Sequence, residues 1–121
     1  MYTKQAIGKF GEDVSCDYLV KSNYKIIERN FRCRQGEIDI VAYDNKNNEI
    51  VFVEVKTRTD FKFGFPSEAV NVVKQRHILN SAKYYLYCNR MENRYVRLDV
   101  IEVVVDASHY RYKLNHLKNV L

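Results

Sequence analysis

Two runs of β-branched and aliphatic residues dominate the pattern of hydrophobic and polar positions in this chain. In residues 37–43 and 50–57 aliphatic side chains recur at every second position, and Asp44-Asn45-Lys46-Asn47-Asn48 stands between the runs. Asp and Asn side chains bond to nearby backbone and tolerate left-handed conformations, so the intervening segment predicts a turn and the whole a β-hairpin. A loop centred between Lys46 and Asn47 sets Asp39 opposite Glu54, Glu37 opposite Lys56 and Val41 opposite Phe52. Because side chains alternate along a strand, Glu37, Asp39, Glu54 and Lys56 are expected on one face of the sheet. Ile38, Ile40, Val51, Val53 and Val55 then form the opposite, apolar face, which is expected to be core.

The flanking segments predict the rest of the fold. Ile7, Phe10, Val14 and Tyr18 recur at helical spacing after Thr3, a good N-cap, and predict a helix to about Lys21. Gly8, Gly11 and Ser15 form a second stripe on it. A glycine inside a helix costs about 1 kcal/mol relative to alanine, so close packing against this stripe is expected. Residues 24–30 predict a first strand, at or near a sheet edge by its charge content. Pro66-Ser67-Glu68 opens a second helix that is regular by Val72 and runs to about Asn89, with Ile78, Ala82, Tyr85 and Leu86 on its apolar face. Lys74 and Gln75 lie near that face, within reach of the sheet. Residues 95–105 alternate and then become uniformly apolar except for Glu102, which predicts an interior strand. A short strand is expected around residues 110–114. The fold class is α/β, a central mixed sheet flanked by α-helices.

Composition narrows the setting. A length of 121 residues suits one domain with a modest core, and 46% hydrophobic with 29% charged residues is a globular rather than a disordered balance. No apolar run is long enough to span a membrane and the start lacks a signal-peptide core, so a cytoplasmic protein is expected. Cys16, Cys33 and Cys88 are widely spaced with no C-x-x-C pair, which argues for reduced thiols and against zinc. A net charge of +5 permits a nucleic-acid partner without requiring one.

The candidate chemistry lies on the hairpin. At a separation of about 5 Å and an effective dielectric of about 20, the opposed carboxylates of Asp39 and Glu54 repel by roughly 3 kcal/mol. Lys56 or a divalent cation held by oxygen ligands would offset that. Glu12 falls at the edge of the small-residue stripe and is a third candidate ligand. The plain alternative is a half-solvated hairpin whose acidic and basic residues merely face water; a purely structural adaptor leaves the opposed acids unexplained. Arg29, Arg32 and Arg34 surround Phe31 just before the acidic strand, and with Arg58, Lys74 and Lys113 they are candidate phosphate contacts. The aromatics of residues 61–65 are candidates for touching bases or a partner.

These residues fall in recognisable motifs: G-K-F-G-E at 8–12, R-N-F-R at 29–32, G-E-I-D-I at 36–40, F-V-E-V-K-T-R at 52–58, the helix around Lys74, and R-L-D-V-I at 97–101. Through them the sequence resembles the YraN family, small bacterial proteins placed by similarity in the PD-(D/E)XK nuclease superfamily beside the archaeal Holliday-junction resolvases. The resemblance implies a restriction-endonuclease-like fold over a single domain, with Glu12 as the helix-borne acid, Asp39 as the motif aspartate and Glu54 and Lys56 as the E-x-K pair. Ile38 replaces the proline of the superfamily name. The resemblance further implies Mg²⁺, with Mn²⁺ as a substitute, held by Asp39, Glu54 and the Val55 carbonyl and completed or water-bridged by Glu12. Lys56 would orient the attacking water or offset transition-state charge. The implied activity is metal-dependent hydrolysis of nucleic acid, DNA above all, with the resolvases hinting at branched DNA and a homodimer. The alternative is a nucleic-acid-binding or assembly module that keeps the fold with little or no catalysis, and the intact set of Glu12, Asp39, Glu54 and Lys56 favours the enzyme.

Overall fold

The computed structural model describes residues 3–59 and 72–120; the aromatics at 61–65 and the helix opening at 66–68 lie outside the described residues. Helix α1 (Lys4–Lys21) begins where Thr3, in extended backbone, accepts the Ala6 N–H on Oγ1 at 3.0 Å. That bond satisfies one of the amides a helix start leaves without a partner. Strand β1 (Tyr24–Cys33) turns at Arg34 and Gln35 into β2 (Gly36–Asp44), which turns into β3 (Glu49–Arg58). In the second turn the buried Asp44 carboxylate accepts the N–H groups of Lys46 at 2.9 Å and Asn47 at 3.2 Å. Helix α2 (Val72–Cys88) precedes β4 (Val96–Asp106), and a 3₁₀ turn at Ala107–His109 leads to β5 (Arg111–Leu117).

The five strands lie in the order β1-β2-β3-β4-β5, parallel at β3/β4 and antiparallel elsewhere. The parallel pairing follows from the helical crossover, since a tight turn can join only antiparallel neighbours. Both faces are covered. Val41, Ile50, Phe52, Leu98 and Val100 pack with Ile78, Ala82 and Tyr85 of α2. Ala42, Val51, Val53, Ile101 and Val103 pack with Cys16 and Leu19 of α1.

Helix α1 meets the sheet through its small residues. Its buried positions are Gly11, Ser15, Cys16 and Leu19, whereas Phe10 of the predicted apolar stripe is 39% exposed. A Cβ placed on Gly11 would come within 1.9 Å of Thr57 Oγ1. Gly8, by contrast, faces open space, so only Gly11 is required by close approach.

The hairpin register agrees with the expectation, with Val41 opposite Phe52 and Ile40 opposite Val53. The assignment of faces needs a correction at one end. Ile38 belongs to the cluster under α2, not with Ile40 and Val53 under α1. The cause lies on β1, where Asn30 adopts a left-handed φ of 54° between the pairs Arg29/Ile40 and Phe31/Ile38. Phe31 and Ile38 therefore turn together toward α2, while Ile40 stays under α1. Beyond that kink the β2/β3 ladder ends at Ile40/Val53, so Asp39 is released from strict pairing. Among the described residues no helix is long and apolar enough to cross a membrane.

Candidate active site

The end of the β2/β3 ladder is where the charged residues gather. Freed from the ladder, Asp39 turns its carboxylate onto β3, where Oδ2 accepts the Val55 N–H at 2.8 Å. Glu54, only 6% exposed, receives Lys74 Nζ of α2 at 2.6 Å and Lys56 Nζ at 3.4 Å. Alternation along β3 puts Glu54 and Lys56 on the α2 side, and Val55 and Thr57 on the α1 side. Lys74 bridges helix to sheet as its position at the start of α2 allowed.

Electrostatics mark this corner as strained. Burial and then the neighbouring Glu54 charge push the Asp39 carboxyl up to about 7, even though the Val55 N–H pulls it down; Glu12 adds a smaller push. Burial, followed by the adjacent Lys74 ammonium, lowers the Lys56 pKa against the attraction of Glu54. Burial is the largest single influence on Lys74 and opposes its charge, but the hydrogen bond to Glu54, the Lys56 contact and the attraction of Glu54 and Asp39 together outweigh it, and the Lys74 pKa is raised. Of the two amines that share Glu54, Lys56 holds its proton more loosely.

The remaining predicted residues are placed less centrally. Glu12, on the α1 side, lies with its carboxylate 3.7 Å from the Arg29 guanidinium, which also bonds to Asp13 at 2.8 Å. Among the described residues no three carboxylate, imidazole or thiol groups gather closely enough to hold one metal ion. Glu37 faces Arg32, at 3.7 Å, rather than Lys56. Arg32, Arg34 and Lys113 are exposed, and Arg58 is half-buried at the end of β3. Arg29 is engaged by α1 and Lys74 by Glu54, so neither is a simple surface phosphate contact. The three cysteines are free thiols.

Two features escaped the sequence. Glu102, paired with Lys56 across the parallel ladder, is 6% exposed and its Oε2 has no hydrogen-bond partner among the described residues. Its isolation within an apolar run was the available signal. At the other end of β4, buried Arg97 bonds to Asp44, Asp99 and the Tyr24 hydroxyl at 2.7–2.9 Å. Asp99 also meets His116 Nε2 at 2.6 Å, whose Nδ1 lies 2.9 Å from the Tyr18 hydroxyl. These partners come from β1, β2, β4, β5 and α1, so the cluster ties the sheet together away from Glu54.

Among protein families, the profile of the uncharacterised protein family UPF0102 matches residues 11–103. The chain belongs to this family. The match takes in Glu12, Asp39, Glu54, Lys56, Lys74 and Glu102, and UPF0102 is the family of the YraN resemblance. A UPF0102 protein of Caldicellulosiruptor bescii is 46% identical over 114 residues, 93% of this chain and 94% of its own length. UPF0102 proteins of Clostridium perfringens (strain 13) and Clostridium botulinum (strain 657) are 47% and 46% identical, spanning 95% and 98% of this chain and 93% and 95% of theirs.

Proposed function

We propose that this protein is a metal-dependent endonuclease of the PD-(D/E)XK type, hydrolysing phosphodiester bonds in nucleic acid, with DNA as the first substrate class to test. One observation carries the reading: a half-buried Asp39, pushed up to about 7 by burial and by the charge of Glu54, while Glu54 also holds Lys56, a lysine whose proton is loosened, at 3.4 Å. A merely structural corner gains nothing from two crowded acids, whereas a cation between them converts repulsion into binding.

The donor set fits a hard divalent ion. Magnesium keeps several waters and is satisfied by one or two carboxylates, so Asp39, Glu54 and the Val55 carbonyl suffice without a third close acid. Glu12 would act at longer range, through water. When bound, Mg²⁺ or Mn²⁺ supplies a water of lowered pKa and polarises the phosphate. Asp39 is held in place for this by the Val55 N–H, and its proton must leave before it can serve as a ligand. Lys56, near Glu54, is placed to hold a proton toward the phosphate oxygens or the attacking water. Lys74 fixes the Glu54 rotamer and balances its charge in the absence of substrate.

The same Lys74–Glu54 bond of 2.6 Å favours a second reading, in which the site is closed by its own lysine and the protein binds nucleic acid without turnover. Incubation of linear, nicked, flapped and four-way DNA with Mg²⁺ or Mn²⁺ separates the two. The nuclease reading expects products from at least one substrate with the wild type and none with Asp39→Asn; binding without products under every condition supports the second.

A further inference from the structure

Two cavities lie side by side on the α1 face of the protein. The larger, about 840 Å³, includes Glu12 and Val55 of the candidate site and is bordered by Lys4 and Arg58. It meets the smaller, about 510 Å³, at Ile7, which lines both. The smaller cavity is walled by Phe10, Val105, Tyr110 and Tyr112, with Arg111 beside them. A volume of this size is in the range of ligand pockets, roughly 300–1,000 Å³.

Its aromatic rings are turned outward. Tyr110 is 89% exposed, Tyr112 46% and Phe10 39%, and the last two meet edge to face with centroids 5.4 Å apart. Tyr110 also has a left-handed φ of 52°. That backbone is the left-handed cap that ends the 3₁₀ turn before β5, and the ring itself packs into no core cluster among the described residues. Asp106, the one acid lining the smaller cavity among the described residues, is answered by His109 at 2.8 Å and Arg111 at 3.3 Å.

We infer that this groove receives an unpaired nucleic-acid strand leading away from the scissile phosphate, its bases stacking on Tyr110, Tyr112 and Phe10 and its backbone passing Lys4 and Arg58. The position of the scissile bond rests on the nuclease reading; the stacking platform does not. Flat, exposed rings fit bases because every base offers a π-face, and flanking cations fit a phosphate chain. Continuity through Ile7 with the cavity of Glu12 and Val55, on the α1 side of β3 and across the strand from Glu54 and Lys56, makes an elongated groove and selects a strand over a compact ligand. The substrate class is then DNA with a single-stranded arm, a flap or overhang, in preference to blunt duplex.

The test measures fluorescence anisotropy in EDTA at fixed salt, with oligothymidylate, an abasic oligomer of the same length and a blunt duplex as probes. Tyr110→Gly removes the ring while glycine accepts the left-handed backbone, Tyr112→Ala removes the second ring, and Tyr110→Phe keeps a ring. Each ring deletion should weaken oligothymidylate binding by about fivefold or more, as base stacking on an aromatic side chain requires, with Tyr110→Phe within about twofold of wild type. Abasic oligomer and duplex should bind all four proteins alike. Equal losses on the abasic oligomer, or no loss on oligothymidylate, would overturn the inference. So would sedimentation showing a wild-type dimer that Tyr110→Gly dissociates, which would assign the face to a second copy. A wild type that binds as described yet cuts no DNA supports the platform while rejecting the nuclease; one that cuts flaps equally well without Tyr110 does the reverse.

Discussion

Replacing Asp39 by Asn should stabilise the metal-free protein at pH 8. The Asp39 carboxyl titrates at about 7 in the folded chain against 3.8 as its ordinary value, chiefly because it is buried and faces Glu54. Between these values the folded state holds a proton that the unfolded state has lost, so stability falls as pH rises from about 4 to about 7. Above that range the folded state carries the whole cost. At 1.36 kcal/mol per unit the difference is on the order of 4 kcal/mol. Asn abolishes the charge, its Oδ1 can still accept the Val55 N–H, and its amide can donate to Glu54. Even a quarter of the full value, about 1 kcal/mol, is worth about 4 °C in Tm for a domain of this size. Scanning calorimetry of both proteins in EDTA at pH 8 and pH 4.5 provides the assay, with Asp39→Asn melting higher at pH 8 and most of the gain gone at pH 4.5. Mn²⁺ at 100 times its dissociation constant should then stabilise the wild type by about 2.7 kcal/mol, raising its Tm, and leave the variant unmoved. A variant less stable than wild type at pH 8, or a difference constant with pH, would show that Asp39 is an ordinary structural acceptor.

Gly11→Ala should cost about 1–3 kcal/mol in urea denaturation, because its Cβ would meet Thr57 Oγ1 at 1.9 Å, whereas Gly8→Ala, in open space, should gain up to about 1 kcal/mol. Arg97→Met should lose about 3–5 kcal/mol in the same assay, since it strands buried Asp99 and Asp44 without their cation. DNA binding should weaken steeply between 50 and 200 mM salt, and Arg32→Ala, Arg34→Ala and Lys113→Ala should each reduce the slope of log K against log salt by about one if that side chain meets a phosphate.

The hairpin was legible because its information is local: the Asx turn set the register that placed Val41 against Phe52, and period-two alternation put Glu54 and Lys56 on one face. Thr3 as a cap and the small stripe of α1 were legible for the same reason, although the stripe rather than Phe10 proved to be the buried contact. What stayed hidden depends on neighbours distant in sequence. The left-handed Asn30 on β1 releases Asp39 and turns Ile38 toward α2, and no pattern within β2 announces it. Lys74 could be placed near the sheet but not on Glu54, because its reach depends on how α2 docks. Arg97 and Asp99 occupy the polar positions of an alternating strand, which usually means solvent, yet α1 and all five strands converge to bury them.

On the proposed nuclease reading, Asp39, Glu54 and Lys56 perform phosphodiester hydrolysis. Its most direct test is the single-turnover cleavage rate of flapped DNA with Mn²⁺ for wild type, Glu54→Gln and Lys56→Ala, with affinity measured in parallel in EDTA. Both substitutions should lower the rate by orders of magnitude and leave affinity within a few-fold, since phosphate contacts elsewhere supply most binding. Cleavage that survives Glu54→Gln and Lys56→Ala at the wild-type rate would contradict the account.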